Sequence, residues 1–250
     1  MRARAGTGGF LVGGLVLSCL LGLQAPVAAR PGKSPTAVVA VIDTGINPYH
    51  VTFRDDSKLA YRHPSTYIPG FPKSAQALRL TFDAKDYWTA VKKDCAKVWT
   101  KVEPGELYWF PGTKIVGAIS FEQGVGAPNC AIPQPTGAAI LDYGAHGTMT
   151  ASRAASIEYG ACKECRIVAV QGFANEAVSW TAENADWIDA QSNSWGRFLP
   201  LWDPALGGAG FWNEPEFVKT VEAAAQKHLS FWATGNGTLT RFGAVGHPTT

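Results

Sequence analysis

The sequence Ala37-Val-Val-Ala-Val-Ile42-Asp43-Thr44-Gly45 opens on six apolar residues, four of them β-branched, and ends on an acid and a turn. A run with no polar alternation reads as a strand buried on both faces, the mark of a parallel sheet. Comparable runs recur at Lys114–Ile119, Arg166–Gln171 and Leu229–Ala233. Helical stretches lie among them. His146–Ser156 is small and Ala-rich, and Trp180–Ala190 has apolar residues at near-helical spacing. Glu214–His228 carries Phe217, Val218, Val221 and Ala225 on one face, with Pro215 in the first turn, where its missing N–H matters least. Strands alternating with helices predict an α/β fold: an open, mostly parallel sheet with helices on both faces.

Outside this frame, residues 51–110 are rich in charge and aromatics, with turn signals at His63-Pro64, Pro69-Gly70 and Pro104-Gly105. They read as an insertion carrying a short helix around Lys85–Val98. Gly124–Gly144, rich in Gly and Pro, reads as a loop. Residues 1–29 read as a secretory signal: Arg2 and Arg4, an uncharged stretch Phe10–Leu23, then the small residues Val27-Ala28-Ala29. A membrane span is the rival reading, but the run is short and broken by Gly13, Gly14 and Gly22. A lipid anchor on Cys19 fits less well, because the residues after it stay apolar.

Cleavage after Ala29 removes two arginines and no acid, so the formal charge of +2 falls to 0. That gives no pull toward nucleic acid or an anionic membrane. Four cysteines remain, an even number that suggests two disulfides in an exported chain. Cys95–Cys130 with Cys162–Cys165 is the simplest of three pairings. Cys162-Lys-Glu-Cys165 can alternatively begin a zinc site, although a second close pair of ligands is missing.

Three segments carry chemistry. Asp43 ends a buried strand, where open α/β sheets place functional groups and where a carboxylate can orient an imidazole. His146-Gly147-Thr148 starts a helix, and Gly147 leaves room for another side chain to approach the ring. Ala233-Thr-Gly-Asn236-Gly follows a strand, and an Asn on such a turn can donate to a developing oxyanion. Each alone has a structural reading: a turn Asp, a surface His in a capping region, a tight Asn-Gly turn.

The order Asp, then His-Gly-Thr, then Ala-x-Gly-Asn-Gly resembles the subtilase family of serine peptidases. Val178-Ser179-Trp180 with Trp187-Ile188-Asp189 is similar to the helix after that family's groove strand, and Gln191-Ser192-Asn193-Ser194-Trp195-Gly196 to its groove-lining strand. The resemblance implies a subtilisin-like fold, with Asp43 orienting, His146 as general base and acid, and Asn236 binding the oxyanion. It implies that Ser194, Trp195 and Gly196 pair with an extended polypeptide substrate as an added strand. It implies residues 30–250 as a partial peptidase domain. The family's nucleophile sits in a Gly-Thr-Ser-x-[Ala/Ser] segment, and none occurs in these residues, so the C-terminal part of the domain is expected to be missing and the chain inactive alone. No metal or cofactor is expected; calcium is common in the family, but no ligand cluster is identifiable. The product is expected outside the cell, with polypeptide as its partner and no nucleic acid or membrane. Two alternatives stay open: a non-catalytic module holding extended peptides, and a zinc protein built on Cys162, Cys165 and a His.

Overall fold

The computed structural model describes residues 36–82, 86–133, 135, 137–142, 144–195 and 215–233. Val38–Asp43 forms strand β1 near the middle of a seven-stranded sheet. Beside it run β5 (Arg166–Gln171) and β6 (Ala190–Asn193), both parallel to it. β4 (Ile115–Ser120) lies beyond β5 and β7 (Leu229–Trp232) beyond β6, again parallel. β2 (Gln76–Ala77) and β3 (Tyr108–Trp109) extend the β4 side, giving the order β2-β3-β4-β5-β1-β6-β7. Among these strands of the described residues, only β3 and β4 pair antiparallel. The expected open, mostly parallel sheet is therefore present.

Side chains alternate across the sheet, so each apolar strand feeds two cores. Val38, Ala40 and Ile42 enter one cluster with Val168 and Val170, while Val41 enters the other with Ile167 and Ala169. On β4 the parity flips: Ile115 and Ala118 share one cluster, Val116 and Ile119 the other. An irregularity in register between Ile115 and Gly117 accounts for that switch. Helix α2 (His146–Ala155) packs Ala151 and Ala155 into the core that holds Val41, Ile167 and Ala169. Helices α3 (Asn175–Glu183) and α4 (Pro215–Ala225) pack Ala177, Val178, Phe217 and Ala224 into the core that holds Val38, Ala40 and Ile42. Helices thus cover both faces.

Residues 51–110 are woven into these cores. They contribute Phe53, Val91, Trp99 and Phe110 to one and Ile68, Phe71 and Trp109 to the other. Their one α-helix, α1 (Tyr87–Asp94), is capped by the Asp86 side chain, which accepts from the Thr89 amide. Asp94 is buried and accepts from the Tyr49 hydroxyl at 2.9 Å, the Thr81 amide at 2.7 Å and the Thr81 hydroxyl at 2.6 Å. Burial, reinforced by Asp94, pushes the Tyr49 phenol well above its ordinary range, so it remains a donor. The Cys95–Cys130 and Cys162–Cys165 disulfides are both present, as the simplest pairing anticipated.

Two helices differ from their sequence reading. The one expected over Trp180–Ala190 spans Asn175–Glu183 instead. Its cap is Ala174, which offers no side-chain acceptor and so leaves no start signal. Trp187 and Ile188 bond through their amides to the Asn184 carbonyl, a turn that imitates helical spacing. The helix expected over Lys85–Val98 ends at Asp94, and a 3₁₀ turn follows at Trp99–Lys101.

Candidate active site

β1 delivers Asp43 to the carboxyl edge of the sheet, opposite Gln171 on β5, with 1% of its surface exposed. The chain then turns at Gly45, whose φ of +114° is a region other residues avoid, and a Cβ there would stand 2.5 Å from the Ile140 carbonyl oxygen. The turn is laced to the segment preceding α2. Ile46 donates its amide to Ile140 O at 2.8 Å, and the Asp142 amide returns to Ile46 O at 3.2 Å. Gln171 adds a brace, accepting from the Ile140 amide at 2.7 Å and donating to Thr44 O at 3.2 Å.

α2 begins against this turn. A helix start leaves amides without partners, and here two come from outside the helix. Thr44 Oγ1 accepts from the Gly147 amide at 2.9 Å, and Asp142 Oδ2 accepts from the Thr148 amide at 2.7 Å. Asp142 is itself buried; it also takes the Thr44 hydroxyl at 2.9 Å, the Gly144 amide at 3.1 Å and the Thr148 hydroxyl at 2.5 Å. The helix can press this close only because residue 147 lacks a side chain: a Cβ would lie 2.2 Å from Gly45 O and 3.1 Å from Asp43 Cβ.

The far end of α2 is held as firmly. Lys114 donates to the Ala155 carbonyl at 2.6 Å and to the Lys163 carbonyl. Burial, aided by Arg166, lowers its ammonium pKa to about 8. The loop closed by Cys162–Cys165 returns its Cys162 amide to Ala154 O at 3.0 Å.

His146 and Asp43 meet. Nδ1 stands 2.7 Å from Asp43 Oδ1, and the imidazole keeps 43% of its side-chain surface exposed. An ionised carboxylate only accepts, so Nδ1 carries the proton and Nε2 presents a lone pair. Asp43 is held in turn by the Thr44 amide on Oδ1 at 2.7 Å and the Thr150 hydroxyl on Oδ2 at 3.0 Å. A buried, oriented carboxylate behind a half-exposed imidazole can take a proton from an alcohol and stabilise the imidazolium that results.

The remaining sequence candidates lie along the same edge only in part. Ile42 on β1 is in register with Asn193 on β6, and Asn193 with Trp232 on β7. Ser194 and Trp195 follow β6 as irregular chain, with the Trp195 ring set tilted or edge-on against Phe173, Phe217 and Trp232 at 5.3–6.0 Å. Asn236, Gly196 and residues 1–29, read from the sequence as a secretory signal, fall outside the described residues. Sequence reasoning missed Thr44, Asp142, Thr150 and Gln171. Their signal was slight: polar residues beside Asp43, just before His146, one turn past it and at a neighbouring strand end. Among the described residues no three His, Cys, Asp or Glu side chains gather as a metal site, and Cys162 and Cys165 are bonded to each other.

An acid at one strand tip is thus hydrogen-bonded to a histidine at a helix start, an arrangement able to support acid–base chemistry. The family profile of the subtilases matches residues 34–250, and the chain belongs to the subtilase family. Comparison with curated proteins and with solved structures returned no match.

Proposed function

We propose that this chain is the Asp- and His-bearing part of an exported serine endopeptidase acting on extended polypeptides. The observation that carries the reading is the 2.7 Å contact between His146 Nδ1 and Asp43 Oδ1, with family membership beside it. In the proposed reaction a serine alcohol gives its proton to His146 Nε2 as its oxygen attacks the scissile carbonyl. The oxyanion is taken by the Asn236 amide. His146 then returns the proton to the departing amine, and water repeats the sequence on the acyl group. Ser194–Gly196 pairs with substrate backbone as an added strand. The nucleophile is not among these residues, so the chain alone turns over no peptide amide. The leader is cleaved after Ala29.

A peptidyl chloromethyl ketone tests this without needing the serine. Held in the groove, it loses chloride as Nε2 bonds to the methylene carbon. The account expects saturable modification, mapped by mass spectrometry to His146 and slowed on the order of a hundredfold by Asp43→Asn. Modification that never saturates, or that falls equally on His50 and His63, contradicts it.

A further inference from the structure

A cleft of about 490 Å³ opens beside the catalytic pair, between α1 and α2. That volume lies within the roughly 300–1,000 Å³ typical of small-ligand sites. One wall is the stripe Ala145, Met149 and Ser152 on the outer side of α2, and the opposite wall is Tyr87 and Trp88 at the start of α1. Ala145 immediately precedes His146, and Met149 is one turn further along, with 53% of its surface exposed. His146 itself does not line the cleft, but Met149 lies three residues on along the same helix, so the two side chains are neighbours on its surface.

The aromatic wall is fixed. Tyr87 and Trp88 pack with their rings tilted and centres 4.8 Å apart, and the Tyr87 hydroxyl donates to the Asp142 carbonyl at 3.3 Å. Behind them α1 is anchored by its buried Asp94 and by the disulfide from Cys95 to Cys130. The Trp99 indole, donating to the Tyr49 hydroxyl at 2.9 Å, closes that network. A wall held this way can discriminate by shape, since little of it yields when a side chain is wrong.

The chemistry of the lining selects the occupant. Asp142 lies at the floor, but its two oxygens already receive four donors, from Thr44, Gly144 and Thr148. It has no acceptor position left to hold the head of a lysine or arginine, and its charge disfavours an acidic side chain. Asn47, His50, Thr148 and Ser152 also line the cleft and each already bonds within the protein; the broad surfaces left are thioether, indole and phenol, which favour apolar and aromatic groups. We infer that this cleft receives a large apolar side chain of the polypeptide substrate, with Trp88 and Met149 setting the preference. The inference rests on the peptidase reading, because only then does a polypeptide run past His146.

Peptide protection of His146 against the chloromethyl ketone tests it in the whole chain. Extended peptides, randomised one position at a time, compete with the reagent, and the concentration giving half-protection is read for each. Wild-type protein is expected to favour Phe, Trp, Leu or Met over Gly or Asp at one position, by roughly tenfold or more. Trp88→Ala and Met149→Ser should each flatten that preference. Met149→Ser alters an exposed position and so serves even if Trp88→Ala fails to fold. Protection that saturates yet shows no preference at any position overturns the inference and leaves the peptidase reading standing. A preference that survives both substitutions does the same. No saturable labelling of His146 by the ketone removes the peptidase reading and this inference with it.

Discussion

Replacing Gly147 with alanine probes the closest approach in the site. The added methyl would sit 2.2 Å from the Gly45 carbonyl oxygen, where ordinary contact begins at 3.4 Å. The oxygen belongs to backbone pinned by the Gly45 turn and cannot swing aside, so the first turn of α2 must withdraw by about 1.2 Å. If that shift falls on the His146–Asp43 hydrogen bond, its 2.7 Å stretches to about 3.9 Å, beyond hydrogen-bond range. Overpacking of this kind costs about 1–3 kcal/mol of stability, and misplacing a reacting group by about 1 Å costs on the order of 10²-fold in rate. Gly144→Ala is the control, since its methyl would meet nothing closer than Asp142 Oδ1 at 3.9 Å. Urea unfolding reads the first quantity and the labelling rate of His146 the second. A Gly147→Ala protein as stable and as reactive as the Gly144→Ala protein would refute the reasoning.

Other consequences follow from the same contacts. Asp142→Ala strips four donors of their acceptor at a buried helix start and should cost about 3 kcal/mol in urea unfolding, with Asp142→Asn intermediate because one oxygen remains. Lys114→Met frees two carbonyls and should cost about 2 kcal/mol near neutral pH. Because burial lowers the Lys114 pKa from 10.5 to about 8, the unfolded chain binds more protons between those values, so wild-type stability should rise with pH across that window and the Lys114→Met protein should lack the rise. Burial alone would raise the Asp55 carboxyl, but hydrogen bonds from Ser57 and Arg166 hold it below its ordinary 3.8. Its contribution is present above that value and should fade as acid carries the pH down through the folded pKa, a loss that Asp55→Asn abolishes.

Much of the frame was legible because its elements state themselves locally. β1, β4 and β5 are continuous apolar runs, which only burial on both faces explains, and each falls within a residue of its reading. α2 declares itself through small residues, and α4 through its apolar face and early proline. α3 slipped because Ala174 gives no capping signal and because Trp187 and Ile188 are buried by a turn. β2 and β3, two residues each, are too short to show any alternation. At the site, Asp43 and His146 stood out because their residue types carry chemistry. Thr44 and Gln171 act through distant backbone amides and carbonyls. Such partners belong to the tertiary fold, and no spacing along the chain encodes them.

Nuclear magnetic resonance of the His146 ring nitrogens tests the pairing with Asp43 most directly. At alkaline pH, with the imidazole neutral, the account predicts a proton on Nδ1, a far-downfield resonance for it, an unprotonated Nε2, and loss of that signal in Asp43→Ala. A proton residing on Nε2, or a spectrum that Asp43→Ala leaves unchanged, would contradict it.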